Sequence, residues 1–482
     1  MPPIVLTSLN ARYHHCALSL RCIQANLGEL RPKSLIQEFV IKQSTEDVAE
    51  ALLAHDPQIL LISVYIWNVE ATLKLLHELR KRSPELKLVV GGPEVSYPPL
   101  YPGITEAVDY VVTGEGEIAA RELCEQLLSG NPPKAKFIKG PQEDVETTVL
   151  PYDLYTDDDI KNRIVYLETS RGCPYRCEYC LSSLDREVRF FPLDELLAAF
   201  QILMDRGVRL FKLLDRTFNT KIDRAVRILE FFLDNLQSGL VIHCEVVPDR
   251  IPDELKACFQ RFPAGCLQFE VGVQSFNQEV LDRIRRAQKA DKVEKNLAWL
   301  CNESKAVIHA DLIFGLPGET LESMQDSFNR LVIHEPDQIQ LNLLKLLKGT
   351  PIVQHTEPFG MVYAPKAPFE IQETSTIDRD TMQMLREFSR VWTLFHNAEK
   401  LKTSLPYVWR DQPDAFAAYL EFTNYIKANT EKLYGIDFLE QVRLLDDWLQ
   451  QHSAHPARAR QAIIADYSNW GKRILPKFLR VS

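Results

Sequence analysis

Short apolar segments and amphipathic segments alternate along most of the 482-residue chain, in two successive runs. The first run predicts five strands and four helices, with strands at 3–10, 34–41, 59–66, 86–92 and 109–117 and helices at 17–27, 45–53, 70–81 and 118–129. Strands that alternate with helices of this length are typical of a parallel sheet with helices on both faces. We therefore expect residues 1–135 to form a doubly wound α/β domain.

The second run follows a stretch rich in Gly, Pro and acidic residues, which predicts a linker at 136–160. It predicts six strands, at 164–169, 208–215, 240–246, 266–275, 307–315 and 338–347, and six helices, at 193–206, 221–236, 252–260, 277–287, 291–304 and 320–333. Six strand–helix units suffice for an open, partial (β/α)6 TIM barrel over 161–365, but not for a closed eightfold barrel. The remaining part, 366–482, predicts a helical cap domain with helices near 377–398, 412–430, 436–450 and 456–471.

The charge balance restricts the partners of the protein. The chain has 56 Lys and Arg against 66 Asp and Glu, a net charge of −10, which argues against binding to phosphate backbones or anionic membranes. The longest apolar run, 59–67, is shorter than the ~20 residues that span a bilayer. Because no basic segment leads into an apolar core at the start, we expect no secretory signal. We expect a cytoplasmic, monomeric protein that acts on a small molecule or peptide and has no membrane or nucleic-acid partner.

Three of the ten cysteines, Cys173, Cys177 and Cys180, lie in one short loop. The C-x3-C-x2-C spacing follows the first predicted barrel strand, at the strand end where parallel barrels place active sites. The other seven cysteines are scattered, as is typical of small core residues. A structural zinc site usually needs four nearby ligands, yet neither His nor Cys occurs between Cys124 and Cys173 or between Cys180 and His243. Three thiolates can instead hold three irons of a cubane cluster and leave its fourth iron open to a small chelating molecule.

This loop resembles the signature of the radical S-adenosylmethionine (radical SAM) family, C-x3-C-x-aromatic-C, with Tyr179 in the aromatic position. Two later segments, FEVGVQS at 269–275 and DLIFGLPGET at 311–320, match strand–helix turns of a large subgroup of that family. The resemblance covers about 160–350. It implies a [4Fe-4S] cluster on the three cysteines, whose open iron chelates SAM. It also implies an electron donor, such as flavodoxin or ferredoxin, whose electron cleaves SAM to a 5′-deoxyadenosyl radical.

The same resemblance indicates which residues contact SAM. Where many members carry Gly-Gly-Glu, the second strand of this barrel ends in LLDRTFN at 213–219, so Asp215 could bind the ammonium and Arg216 the carboxylate of SAM. A helix cap or a strand-end ion pair is the alternative role for each. The other predicted contacts are Glu245 to the ribose, the strand-end residues Gln274 and Ser275, and the backbone of Phe314, Gly315 and Leu316 to the adenine.

A doubly wound domain directly before such a barrel resembles the cobalamin-binding, Rossmann-like domain of B12-dependent radical SAM enzymes. Small and polar residues at its predicted strand ends would let a nucleotide-like tail pass beside the sheet. The predicted cofactor-binding residues are Asn10, Ser63, Tyr65, Gly91, Gly92, Pro93, Glu94, Gly114 and Gly116. The histidine loop of the family's other branch, Asp-x-His-x-x-Gly, is absent, because 10–16 read NARYHHC. Either no histidine reaches cobalt from below, or His14 or His15 does so with different geometry.

The predicted protein is thus an α/β enzyme with a cobalamin-binding domain, a radical SAM partial barrel and a C-terminal α-helical domain. The helices at the end resemble an uncharacterised domain found on some B12-binding radical SAM proteins. The expected reaction is methylation of an unactivated carbon, in which one SAM supplies the radical and another recharges the cobalamin. The alternatives within the class are a cyclisation, a rearrangement, a ring contraction, or a vestigial domain that binds no corrin. Two alternatives belong to other classes of protein. One is a cluster-based sensor, which the open iron argues against, and the other is an RNA-modifying enzyme, which the acidic net charge argues against.

Overall fold

The computed structural model describes residues 2–471 and 474–480. The described chain forms two compact units. The first unit extends to Glu245 and also includes Leu346–Pro351 and Ala364–Phe369. The second unit comprises Val246–Lys345, Ile352–Tyr363 and the described chain from Glu370 onward. Over the described residues, no helix has the length and hydropathy that a membrane span requires.

The first unit begins with a six-stranded sheet in which neighbouring strands pair in parallel. The strands are β1 Ile4–Asn10, β2 Ser34–Val40, β3 Ile59–Ser63, β4 Lys87–Gly91, β5 Tyr110–Thr113 and β6 Phe137–Lys139. Their order is β2-β1-β3-β4-β5-β6. The strand order reverses between β1 and β3, and such a reversal is where doubly wound sheets bind ligands. The predicted doubly wound sheet is confirmed, with β6 as an additional strand inside the predicted linker.

Helices cover both faces of this sheet. They are α1 Leu18–Ala25, α2 Thr45–Leu53, α3 Val69–Arg82, α4 Pro93–Ser96, α5 Ile104–Ala107 and α6 Glu117–Leu128. Leu60 and Ile62 belong to the same core as the apolar residues of α2 and α3, whereas Leu61 belongs to a second core with α1 and α6. Because both faces are covered, the central strands are apolar at consecutive positions, as in other buried parallel sheets.

The rest of the first unit carries three further parallel strands and a small hairpin. The elements are α7 Asp157–Asn162, β7 Val165–Leu167, β8 Ser170–Arg171, β9 Arg189–Phe190, α8 Leu193–Asp205, β10 Leu210–Leu213, α9 Ile222–Asp234 and β11 Val241–Val246. Strand β10 pairs in parallel with β7 and β11. Strands β8 and β9 form an antiparallel hairpin that the sequence pattern does not predict.

Two segments that follow β14 in the sequence belong to the first unit, and one of them contains Gly349. At Gly349 the backbone has φ of 79°, and a Cβ there would lie 2.4 Å from Cγ of Tyr97. Only glycine therefore allows this segment to pack so closely against the tyrosine that follows α4.

The second unit contains three parallel strands followed by four long helices. Its elements are α10 Asp253–Gln260, β12 Leu267–Gln274, α11 Gln278–Arg283, α12 Ala290–Glu303, β13 Val307–Phe314, α13 Leu321–Val332, β14 Gln338–Leu343, β15 Val362–Tyr363, β16 Ile371–Glu373, α14 Arg379–Phe395, α15 Ala415–Asn429, α16 Phe438–His452 and α17 Pro456–Asn469. Strand β13 lies between β12 and β14. Edge-to-face contacts join Phe328 of α13 to Phe388 and Trp392 of α14, so the last helices share an aromatic core with the strand–helix part of their unit.

Gly92 provides a test of the close backbone packing in the first sheet. Its φ of 113° and ψ of 173° lie in a region that is essentially restricted to glycine, and a Cβ there would lie 2.5 Å from the carbonyl oxygen of Val64. We expect Gly92→Ala to lower the thermal unfolding midpoint clearly, as measured by circular dichroism. Gly130→Ala is the control, since φ is also positive there (78°) but the added Cβ meets no atom within 4 Å. Equal shifts in the two variants would show that the contact with Val64 is unimportant.

Candidate cluster and cofactor sites

The hairpin of β8 and β9 closes the loop that carries the three cysteines. Cys173 and Cys177 are buried, and Cys180 is partly exposed. The backbone N–H of Cys173 donates to the carbonyl of Asp185 at 2.8 Å, so the loop is folded upon itself. Gly172 has φ of 86°, and a Cβ there would lie 2.1 Å from the carbonyl oxygen of Glu187. The glycine before the first cysteine is therefore needed for the two arms of the loop to meet.

The donor set of this loop fits an iron–sulfur cluster. Burial raises the pKa of the Cys173 thiol, so its thiolate needs a cationic partner at neutral pH. Three soft thiolates on one loop suit iron, and coordination to the metal removes their protons. Cys173, Cys177 and Cys180 are thus the residues that would hold the cluster.

Asp215 fastens the start of this loop to the neighbouring strand. It is buried just after β10, and its carboxylate accepts hydrogen bonds from the backbone N–H of Thr169 at 2.9 Å and from the hydroxyls of Thr169 and Ser170 at 2.6 and 2.5 Å. Burial raises the pKa of Asp215, and these three donors act against that rise. The carboxylate thus holds the segment that leads into Cys173, while its contact with the SAM ammonium stays a prediction.

Arg216 and Glu245 lie together at the ends of β10 and β11. A guanidinium nitrogen of Arg216 is 3.2 Å from a carboxylate oxygen of Glu245, and the side chains are 53% and 31% exposed. An ion pair this exposed contributes little stability, so both groups can exchange partners at low cost. Their predicted roles toward the carboxylate and the ribose of SAM are compatible with this placement but are not tested by it.

In the second unit, the predicted contacts lie at the ends of β12 and β13. Gln274 has φ of 70°, which is rare for a residue other than glycine, and the pairing of β12 with β13 shifts register there. Phe314 and Leu316 have buried side chains, so only their backbone could meet a ligand. The carbonyl of Phe314 already accepts a hydrogen bond from the N–H of Leu344 at 2.9 Å.

Ser275 belongs to a buried hydrogen-bond network. Its hydroxyl donates to the carboxylate of Glu319, in the GLPGET segment, at 2.5 Å, and Ser323 donates to the same oxygen at 3.3 Å. The other carboxylate oxygen of Glu319 has no partner among the described residues. Burial raises the pKa of Glu319 to about 7. Glu319 therefore fixes Ser275. Glu319 was not among the predicted site residues, although a Glu inside an apolar strand–turn motif could have indicated a buried polar site.

At the carboxyl edge of the first sheet, small residues line up across three strands. Ser8 of β1 is in register with Ser63 of β3, which is in register with Gly91 of β4. The hydroxyl of Ser8 is buried and has no partner among the described residues. Glu94, which follows β4, has a similarly unpartnered buried carboxylate oxygen, and burial raises its pKa to about 7. Small side chains and unused polar atoms at this edge fit an amide-rich ligand such as a corrin with its nucleotide tail.

The turn after β3 presents two stacked aromatic rings. Tyr65 and Trp67 are parallel, with ring centroids 4.4 Å apart, and Trp67 is 49% exposed. The buried side chain of Asn68 holds the turn, because it accepts from the N–H of Tyr65 at 2.8 Å and donates to the carbonyl of Ser63 at 3.1 Å. The hydroxyl of Tyr65 lies 2.9 Å from that of Ser19. Asn68 and Ser19 were missed because turn residues of this kind have no distinctive spacing.

The remaining candidates for the corrin site have mainly structural contacts. Asn10 donates to the carbonyl of His15 at 3.0 Å and to Glu38 at 3.2 Å. Nδ1 of His15 is 2.6 Å from the hydroxyl of Tyr166, so this ring is held by a residue of β7. The glycine and proline candidates shape turns: Gly92 and Pro93 lead into α4, Gly114 has φ of 78°, and Gly116 precedes α6.

An ion cluster between the VTGEGE turn (112–117) and the cysteine loop was not anticipated. Arg171 contacts Glu117 at 2.6 Å, Glu168 at 3.0 Å and Glu115 at 3.4 Å. Arg189 contacts the same Glu115 at 3.1 Å. Glu115 and Glu117 in the turn were the available signal, but the turn was interpreted only as part of the corrin site.

Comparison with known proteins identifies the domains in which these residues lie. Residues 167–331 match the Radical SAM superfamily, 10–124 match the B12 binding domain, and 357–482 match a protein family of unknown function, DUF4080. The chain therefore carries a radical SAM domain, with a B12-binding domain before it. Its cofactors are accordingly a [4Fe-4S] cluster, SAM and cobalamin, as predicted, and the C-terminal likeness to an uncharacterised domain is confirmed.

Two similar proteins align along most of the chain. The 2-(S-pantetheinyl)-carbapenam-3-carboxylate methyltransferase of Streptantibioticus cattleyicolor is 24% identical over 87% of this chain and 69% of its own length. The cobalamin-dependent radical SAM methyltransferase TokK of Streptomyces tokunonensis is 23% identical over 89% of this chain and 70% of its own length.

Two solved structures share the fold. The radical SAM methyltransferase TsrM of Kitasatospora setae, with cobalamin and a [4Fe-4S] cluster bound, superposes with a TM-score of 0.62 over 97% of this chain and 100% of that chain, at 15% identity. The cobalamin-dependent SAM radical enzyme OxsB, with aqua-cobalamin bound, gives a TM-score of 0.68 over 98% of this chain and 79% of that chain, at 15% identity.

We expect Asp215→Ala to reduce the iron that the protein retains after anaerobic reconstitution, by about threefold or more. The reason is that two buried donors of Thr169 and a partly buried donor of Ser170 lose their acceptor, which costs about 1–3 kcal/mol per buried unpaired group and loosens the loop. Iron per chain and the visible absorption of the cluster are the measurements. Asp223→Ala, at an exposed acid on α9, is the control. Full iron retention by Asp215→Ala would contradict the proposed role of this carboxylate.

Glu319 makes stability depend on pH. Its pKa is raised from 4.5 to about 7 in the folded chain, so between these values the folded chain keeps a proton that the unfolded chain releases. Stability therefore falls as the pH rises from 4.5 to 7, by about 3 kcal/mol in total at 1.36 kcal/mol per pKa unit.

We expect Glu319→Gln to flatten this part of the stability profile and to raise the unfolding midpoint above pH 7. Urea unfolding of the two proteins at a series of pH values measures the difference. Parallel profiles for the wild type and the variant would show that Glu319 is ionised at the same pH in the folded and unfolded chains.

Proposed function

We propose that the enzyme methylates an unactivated carbon of a small molecule or peptide. The observation that carries the proposal is the similarity to two methyltransferases along 87% and 89% of the chain, which includes the cofactor domains. A cytoplasmic monomer that receives electrons from flavodoxin or ferredoxin is part of the same proposal.

When bound, the cluster would supply the electron that cleaves SAM to the 5′-deoxyadenosyl radical, and cobalamin would carry the methyl group. The chain supplies the positions of these groups. Cys173, Cys177 and Cys180 hold the cluster, and Asp215 holds the loop on which they lie. The row of Ser8, Ser63 and Gly91 leaves room at the sheet edge for the corrin tail.

The relatives also include an enzyme that is named for a different reaction. The anaerobic magnesium-protoporphyrin IX monomethyl ester cyclase of Synechocystis is 23% identical over 70% of this chain. A test of the proposal must therefore distinguish methyl transfer from a cyclisation or rearrangement while the substrate is still unidentified.

Methyl-deuterated SAM allows this distinction. We expect the anaerobically reduced, reconstituted protein to transfer the deuterated methyl group to its cobalamin, which mass spectrometry of the extracted corrin detects. It should also form 5′-deoxyadenosine, whereas the variant with alanine at 173, 177 and 180 should form none. Formation of 5′-deoxyadenosine with an unlabelled corrin would exclude methylation in favour of cyclisation or rearrangement. A protein that binds no cobalamin would have a vestigial domain.

A further inference from the structure

The Arg171 side chain joins the cluster loop to the turn between β5 and α6. It lies two residues before Cys173, and all three guanidinium nitrogens contact carboxylates. Nη1 and Nη2 contact Glu115 and Glu117 of that turn, and Nε contacts Glu168 at the end of β7. One residue thus connects the segment that holds iron ligands with a turn predicted to bind the corrin.

Glu115 also has partners other than Arg171. The carboxylate of Glu115 accepts the backbone N–H of Glu143 at 2.8 Å and contacts Arg189 at 3.1 Å. Glu143, in turn, accepts the backbone N–H of Ile118 at 3.0 Å, so these contacts link the turn to the segment that follows β6. A planar guanidinium fits such an arrangement of carboxylates, because its donors have a rigid geometry that a lysine lacks.

The group of charged side chains around Arg171 is mostly buried and carries excess negative charge. The side chains of Arg171, Glu117, Glu168 and Glu115 are 12%, 6%, 16% and 22% exposed. Two cations, Arg171 and Arg189, thus face four carboxylates, which are these three and that of Asp185. Because desolvation offsets much of the attraction, a buried ion cluster adds little net stability over an apolar replacement, but the loss of one partner leaves a buried charge unpaired.

A second ion network in the same unit provides a comparison. Arg21 contacts Asp159 at 2.8 Å and Glu38 at 3.2 Å, and Arg163 contacts both of these acids. This second network is buried like the charged group around Arg171, but its two cations balance its two anions. Its contacts lie outside the cysteine loop. The Arg21 network therefore serves as a control with the same residue types and similar burial at a different position.

We propose that Arg171 is a positioning residue that couples the cluster loop to the VTGEGE turn, so that ordering of one orders the other. Metal binding orders the segment that carries the ligands, and the guanidinium transmits this order to Glu115 and Glu117. By thermodynamic reciprocity, cobalamin binding at the turn then favours the loop conformation that binds the iron–sulfur cluster. The cobalamin part of this inference rests on the proposed function, whereas the coupling of loop to turn does not.

Two measurements test the coupling. The first is hydrogen–deuterium exchange of a peptide covering 110–118, with and without iron–sulfide reconstitution. The second is the Kd of hydroxocobalamin for the cluster-free and cluster-loaded protein. In the wild type we expect reconstitution to slow exchange in this peptide and to lower the Kd by about 5-fold or more, the lower end of typical coupling.

In Arg171→Lys we expect the exchange of this peptide to stop responding to reconstitution and the two Kd values to become equal. Glu117→Gln, an isosteric change on the other side of the contact, should reduce the response in the same direction. Arg21→Lys should retain the full response, even if it unfolds at a lower temperature. A purely structural role of Arg171 would weaken both Kd values by the same factor and leave their ratio unchanged.

The outcomes separate this inference from the proposed function. A wild-type peptide that exchanges equally with and without the cluster, or an unchanged ratio in Arg171→Lys, would overturn the coupling. A wild type that binds no hydroxocobalamin would overturn the proposed function alone, because the exchange experiment would still decide on Arg171.

Discussion

Parallel pairing of the strands is the constraint on which the functional architecture depends. Parallel strands end at the same edge of their sheet, so every loop that follows a strand is brought to one side. In the first unit this rule brings the ends of β1, β3 and β4 together, with Ser63 and Gly91 in register. It also aligns the ends of β7 and β10, where Asp215 reaches Thr169. Motifs that are far apart in the sequence therefore form one site because they follow strands that end at the same edge.

The strands and long helices could be predicted from the sequence because each is a local pattern with a local boundary. Helix α2, for example, begins after Ser44, whose hydroxyl accepts the N–H of Asp47 at 3.2 Å. The predicted strand at 109–117 was too long, since β5 ends at Thr113 and Gly114 then turns the chain with φ of 78°. The hairpin of β8 and β9 was missed because two-residue strands are too short to show alternation.

The cysteine loop could also be predicted, since its three ligands lie in one segment. The contacts that orient it could not, because each joins residues that are far apart in the sequence. Arg171 and Glu117 are 54 positions apart, and nothing in either segment specifies that they meet. Asp215 and Ser275 were both selected as ligand contacts, yet each is engaged by buried polar neighbours. A polar residue at a strand end has the same appearance in a sequence whether it binds a ligand or holds a loop.

The packing of Gly349 against Tyr97 has a consequence for biosynthesis. The first unit includes Leu346–Pro351 and Ala364–Phe369, which are synthesised long after the rest of it. A nascent chain with only the first 245 residues outside the ribosome therefore lacks two pieces of its own unit. Translation past residue 369 is needed before that unit can reach its final packing, so the cluster loop emerges well before its surroundings are complete.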